Sequence, residues 1–143
     1  MIISMDSSLK KITSLFTLLS LAAVSHAIEA QSVWDGVYSD AQASRGEFIY
    51  REACLSCHGQ DLGGNSNSPG LVGMGFMFLW EGKTLGEFFE KIRSEMPTDR
   101  PGQLPAKDYL NVVAYILQEN AMPSGKELSS SAAALDAIAI SSK

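Results

Sequence analysis

The sequence predicts an all-α fold of three main helices joined by irregular, glycine-rich loops, and three observations carry that expectation. Apolar residues recur at helical spacing in three separate stretches, around residues 40–57, 84–95 and 106–122. Glycine punctuates the chain between the first two, with seven glycines between positions 59 and 82. At 143 residues the chain is the size of one small domain.

The N-terminus reads as an export signal. Lys10 and Lys11 precede an apolar run from Ile12 to Val24, and Ser25 and Ala27 flank His26 in a cleavage pattern of small residues. The run holds thirteen residues, whereas a membrane-spanning helix needs about twenty, so a cleaved signal over residues 1–27 is favoured over a retained anchor. Cleavage after Ala27 or after Ala30 fits the pattern. The expected destination is the periplasm.

Asp40 is placed to cap the first helix, which runs to about Cys57 with Ala43, Phe48, Ile49 and Tyr50 among its apolar positions. At its end stands Cys54-Leu55-Ser56-Cys57-His58, the attachment signal for c-type haem. Two thiols separated by two residues lie on one short turn and reach one edge of a porphyrin, and the adjacent histidine sits under the iron. A disulfide or a redox dithiol is the competing reading of the cysteine pair, and the histidine turns the balance toward one covalently attached haem. The mature chain has no other cysteine and no other histidine, which excludes a four-ligand zinc site by counting. Export agrees with this use of thiols, which oxidise outside the cytoplasm unless they are engaged.

With His26 removed, His58 is the single imidazole, and methionine is the expected ligand on the other side of the iron. Met74, Met77, Met96 and Met122 remain. Met96 is preferred. It follows a helix and precedes Pro97, whose ring stops that helix and favours extended backbone at the residue before it. Met74 and Met77 fall in the glycine-rich stretch, read as loop over residues 59–79, and Met122 ends the last helix; packing accounts for these three.

The second helix opens on Thr84-Leu85-Gly86-Glu87, a capping box, and Leu85, Phe88, Phe89 and Ile92 form its inward stripe. Pro101, Gly102 and Pro105 punctuate the next loop. A third helix beginning at Ala106 or Asp108 carries Tyr109, Val112, Val113, Tyr115, Ile116 and Leu117, and Pro123 and Gly125 close it. Residues 124–143 read as a Ser/Ala-rich tail, either a short helix or a loosely packed arm.

Across residues 34–123 the chain resembles the class I c-type cytochromes. Gly46 and Tyr50 stand where that family crosses its first and last helices, and Val112-Val113-Ala114-Tyr115-Ile116 matches the facing strip, which implies that Val112 and Tyr115 make the contact. Pro69 and Leu71 match the family's Pro-x-Leu, in which the proline carbonyl accepts from the proximal histidine. Met96-Pro97 matches the distal ligand. Val33 to Tyr38, Gly82 to Leu85 and Met96-Pro97 are also similar to small cytochrome c modules found alone or fused to bacterial quinoprotein dehydrogenases and in sulfur-oxidising systems. The resemblance implies a cytochrome c fold, one haem c held by Cys54, Cys57, His58, Pro69 and Met96, with His58 and Met96 on the metal. The implied function is single-electron transfer rather than catalysis, either as a free carrier or as a haem subunit of a larger dehydrogenase. Trp80 can donate to a haem propionate or pack against the ring.

The expected partners are a dehydrogenase donor and a cytochrome or oxidase acceptor. Cleavage after Ala27 removes Asp6, Lys10 and Lys11 and leaves a formal charge of −6, which disfavours nucleic acid and allows steering toward a basic surface. A membrane enters only if the signal segment is retained.

Overall fold

The computed structural model describes residues 31–143; the export signal expected over residues 1–27 lies outside them. The elements in order are β1 (Gln31–Ser32), α1 (Asp40–Ala53), α2 (Leu55–His58), α3 (Gly73–Trp80), α4 (Leu85–Glu95), α5 (Ala106–Glu119), α6 (Ala132–Asp136) and β2 (Ile138–Ala139). The architecture is all-α with one two-residue parallel ladder between β1 and β2. Among the described residues no helix is long and apolar enough to cross a membrane.

The frame is the crossing of α1 and α5, the most extensive helix pair. It depends on Gly46. A Cβ added there would stand 1.8 Å from the Asn111 carbonyl oxygen and 2.9 Å from Tyr115 Cβ, so only a hydrogen lets the two backbones approach this closely. Tyr50 and Tyr115 pack one turn away, with ring centroids 5.4 Å apart. Asn111 and Tyr115 therefore meet Gly46, whereas Val112, expected at this contact, faces the large cavity described below. Asn111 and Val112 stand about 100° apart on the helix, so with Tyr115 at the crossing only one of them can face Gly46.

Helix starts follow their capping chemistry. Ser39, one residue before the expected cap, accepts from the Gln42 amide at 3.2 Å and begins α1. The capping box of α4 forms in both directions, Glu87 N to Thr84 Oγ1 at 3.1 Å and Thr84 N to the Glu87 carboxylate at 2.8 Å. The first helix does not run unbroken to Cys57. It stops at Ala53, and Leu55–His58 form a separate turn, α2.

Residues 59–79, expected to be loop throughout, contain all of α3 but its last residue, Trp80. Its sequence Gly-Met-Gly-Phe-Met-Phe-Leu-Trp has no polar face and no side-chain cap of its own. The cap comes from α5 instead. Asn120 Oδ1 accepts from Gly73 N at 2.9 Å, while Asn120 Nδ2 donates to the carbonyls of Leu71 and Ile116. On its inner side Phe76 is fully buried and meets Phe88 of α4 edge to face at 5.3 Å.

The final segment is packed. Leu128, Leu135, Ile138 and Ile140 are buried; Leu135 lies on the short helix α6, whereas Ile138 and Ala139, expected with it on one short helix or a loose arm, form β2 instead. Gln42, itself buried, clamps Leu128 through both backbone groups, accepting from its amide at 2.9 Å and donating to its carbonyl at 3.4 Å. Beyond α6, β2 lies between β1 and the start of α4: Gly82 N donates to Ile140 O, and Ile140 N to Lys83 O. Trp34 completes this edge by donating from Nε1 to Ser141 O at 2.7 Å.

Candidate haem site

One end of α1 sets the site. Helical geometry ceases at Cys54, but the amides of Cys57 and His58 both donate to the Cys54 carbonyl, so the turn keeps Cys54 and Cys57 one helical step apart. Both thiols are free, Cys54 half-buried and Cys57 exposed. Burial, with Cys57 adding and Arg100 opposing, pushes the Cys54 thiol up to about 11. Cys54 is therefore not a stabilised thiolate of the kind that serves as the nucleophile of a redox dithiol. The turn is held at its far end by Tyr50, whose hydroxyl donates to Gly59 O at 2.6 Å.

The loop that follows is ordered around His58. Gly64 N donates to His58 O, Asn65 Nδ2 donates to Cys57 O, and Leu71 N donates to Leu62 O. Gly64 has φ +72°, and a Cβ there would sit 2.4 Å from Ser68 O, so the turn is open to glycine alone. This arrangement brings Pro69 O to 2.9 Å from His58 Nδ1. A carbonyl oxygen only accepts, which puts the imidazole proton on Nδ1 and leaves the lone pair on Nε2 free for a metal.

Met96 enters from the end of α4. Its backbone is extended, φ −118° and ψ 153°, as expected before a proline. Two hydrogen bonds fix it: its amide donates to Ile92 O, and its carbonyl accepts from the Tyr109 hydroxyl at 2.6 Å. Tyr109 also receives the Leu104 amide at 3.4 Å, so one phenol ties α5 to both ends of the 97–104 loop. In the sequence Tyr109 stands out only as an apolar member of its helix. Nothing in its periodicity indicates where the loop returns, and the local signal is confined to its hydroxyl.

Cys54, Cys57, His58, Pro69 and Met96 line one cavity of about 1040 Å³, with Leu71, Trp80, Phe88, Ile92, Val112 and Ile116 among its apolar walls. The other three methionines do not line it. Met122 is buried in the core, Met74 is 90% exposed, and Met77 packs partly against the core. Trp80 lines the cavity while packing on Phe88 at 4.7 Å, and the Lys83 ammonium lies over its ring. Among the described residues no group of three or more His, Cys, Asp or Glu side chains is placed to bind a metal ion without a macrocycle.

The residues fit a haem. The volume is at the upper end of small-molecule sites, about 300–1,000 Å³, the walls are apolar, and the donors are two thiols, an imidazole with a free Nε2 and a thioether.

No curated protein matches the chain. A solved structure, the sulfane dehydrogenase SoxCD from Paracoccus pantotrophus, matches at 20% identity with a TM-score of 0.45, covering 62% of this chain and 53% of that one. The chain thus spans about half the length of the solved chain it matches. The family model described as cytochrome c oxidase, cbb3-type, subunit III matches residues 41–116, a span that takes in the crossing helices, the Cys-x-x-Cys-His turn and Met96. That span is more than half of the chain, and with the all-α frame it makes this protein a member of that family, a class I c-type cytochrome module that carries electrons.

Proposed function

We propose that the mature protein is an exported single-haem carrier with haem c bound covalently through Cys54 and Cys57 and with His58 and Met96 as its axial ligands. The observation that carries this reading is the shared cavity in which a histidine with its Nδ1 committed to Pro69 meets one methionine out of four. When bound, the haem supplies a one-electron couple at its iron.

The chain's own residues do the rest. The thiols of Cys54 and Cys57 fasten the ring edge to α2. Pro69 O polarises the His58 N–H and so strengthens electron donation from Nε2. Tyr109 holds the Met96 backbone in the conformation that presents the thioether to the cavity. Leu71, Phe88, Ile92, Val112 and Ile116 exclude water from the ring faces, which disfavours the more highly charged oxidised centre. With His58 and Met96 both holding the iron, a bound haem would offer substrates no open coordination site.

Export to the periplasm belongs to the same reading, supported by the signal pattern of residues 1–27 and by the outward location of thiol-linked haem assembly. Its partners are redox proteins, a dehydrogenase on the donor side and a cytochrome or oxidase on the acceptor side.

The test is an intact-mass measurement with a reduced-minus-oxidised spectrum of the exported protein. One haem added covalently and a low-spin spectrum with a Met–iron band support the proposal. A colourless protein with two titratable thiols, or two haems per chain, overturns it. Cys54→Ala combined with Cys57→Ala is expected to yield no covalent haem in the same measurement.

A further inference from the structure

Helix α3 turns a fully apolar surface to solvent. Met74 and Phe78, one turn apart, are 90% and 89% exposed, and Leu79 beside them is 39% exposed. Large side chains that buy no burial in the monomer point to a contact made elsewhere. Leu79 also lines the haem cavity together with Trp80, so this apolar strip is continuous with the rim of the redox site.

The charge pattern says what can cover it. The nineteen residues from Leu62 to Trp80 include no Asp, Glu, Lys or Arg. The charged residues at the cavity, Glu52, Lys83, Glu87, Lys91, Asp99 and Arg100, come from α1, α4 and their neighbouring loops instead. One sector of the rim is therefore charged and the other has no charged residue of its own, with the Lys83 ammonium over Trp80 at the border between them. A charged partner surface laid on the neutral sector would lose its hydration without gaining an ion pair, whereas an apolar one would lose nothing. Lipid is a poorer match, because membrane-surface helices are rich in Lys or Arg beside their apolar face, whereas α3 carries none and has the single ammonium of Lys83 at its end, in a chain of net negative charge. A second copy would bring two negative chains together.

Resting on the carrier reading above, we propose that α3 is the docking face for a redox protein whose own contact surface is apolar and uncharged, with Met74 and Phe78 as anchors and Leu79 leading to the haem edge. Docking of this kind is small and short-lived, as a carrier that must release its partner requires. It also places the contact where the path to the ring is short.

The experiment uses the haem-loaded protein and gold electrodes coated with methyl-, carboxylate- or amine-terminated alkanethiols as stand-ins for apolar, acidic and basic partners. The holoprotein is expected to exchange electrons fastest at the methyl surface. Met74→Ser combined with Phe78→Ser is expected to lower that exchange on the order of tenfold to a hundredfold, since two exposed apolar side chains no longer leave water on contact. The visible spectrum and the midpoint potential from a mediated solution titration should not change. Phe48→Ser, at an exposed phenylalanine on α1 outside the strip, should exchange as the wild type does.

An unchanged rate in the double variant, an equal loss in Phe48→Ser, or fastest exchange at the amine surface overturns the proposal. Binding to vesicles of phosphatidylcholine and phosphatidylglycerol that the double variant loses assigns the face to lipid and overturns it too. So does a sedimenting dimer that the double variant dissolves, which assigns the face to a second copy. A solution titration without any haem wave overturns the carrier reading itself, and the wave persists in every case where docking alone fails.

Discussion

Met96 and Tyr109 are bound together by a single hydrogen bond, and the consequences for each side chain differ. Met96→Ala removes the thioether and should leave haem attached through the cysteines, with a lower midpoint potential and an iron open to added imidazole. A potentiometric titration and a visible spectrum check this, and an unchanged Met–iron band would assign the ligand to another residue. Tyr109→Phe keeps the ring in the core but leaves the Met96 carbonyl without its donor, at a cost of about 1–3 kcal/mol. The variant should retain the Met–iron band and take up imidazole in the ferric state at least about fivefold more readily. An imidazole titration indistinguishable from wild type would show that the phenol has no hold on the ligand.

The helices show how far sequence reaches. The capping box at Thr84 and Glu87 and the stripe of Leu85, Phe88 and Ile92 are local signals, and α4 forms as they specify. The Cys-x-x-Cys-His turn was legible for the same reason, being five consecutive residues with one chemistry. Helix α3 was not, because its cap is Asn120, 47 residues away from Gly73, and its glycines read as loop punctuation. Tyr115 was found at the α1–α5 crossing while Asn111 was missed, since composition favours an apolar contact and the approach at Gly46 is made by backbone. Gly46→Ala tests that approach. The added methyl meets the Asn111 carbonyl, which cannot swing aside as a side chain can, so the helices must separate at a cost of about 3 kcal/mol or more. Thermal melting of the holoprotein should fall clearly, and a melting temperature within a degree or so of wild type would show that the crossing tolerates a wider spacing.

Over the molecule as a whole, the last twenty residues send four aliphatic side chains into the core. Removing residues 124–143 exposes the surfaces covered by Leu128, Leu135, Ile138 and Ile140, each aliphatic side chain worth about 1.5–3 kcal/mol when buried. The truncated holoprotein should therefore melt at a markedly lower temperature while its Met–iron band persists below the transition, because none of the removed residues lines the haem cavity. Equal melting of the two forms would show that the segment only rests on the surface. The small ladder at this edge also fixes how the module hangs in space. Gln31 pairs with Ile138, and β2 in turn bonds to Gly82 and Lys83, just beyond α3. Two strand spacings, about 10 Å across the ladder, and an offset of two residues along it separate Gln31 from Gly82, which follows α3. Any leash fastened ahead of Gln31 would thus pull from beside the Met74–Phe78 face, and its length would decide whether that face can swing from one partner to the next.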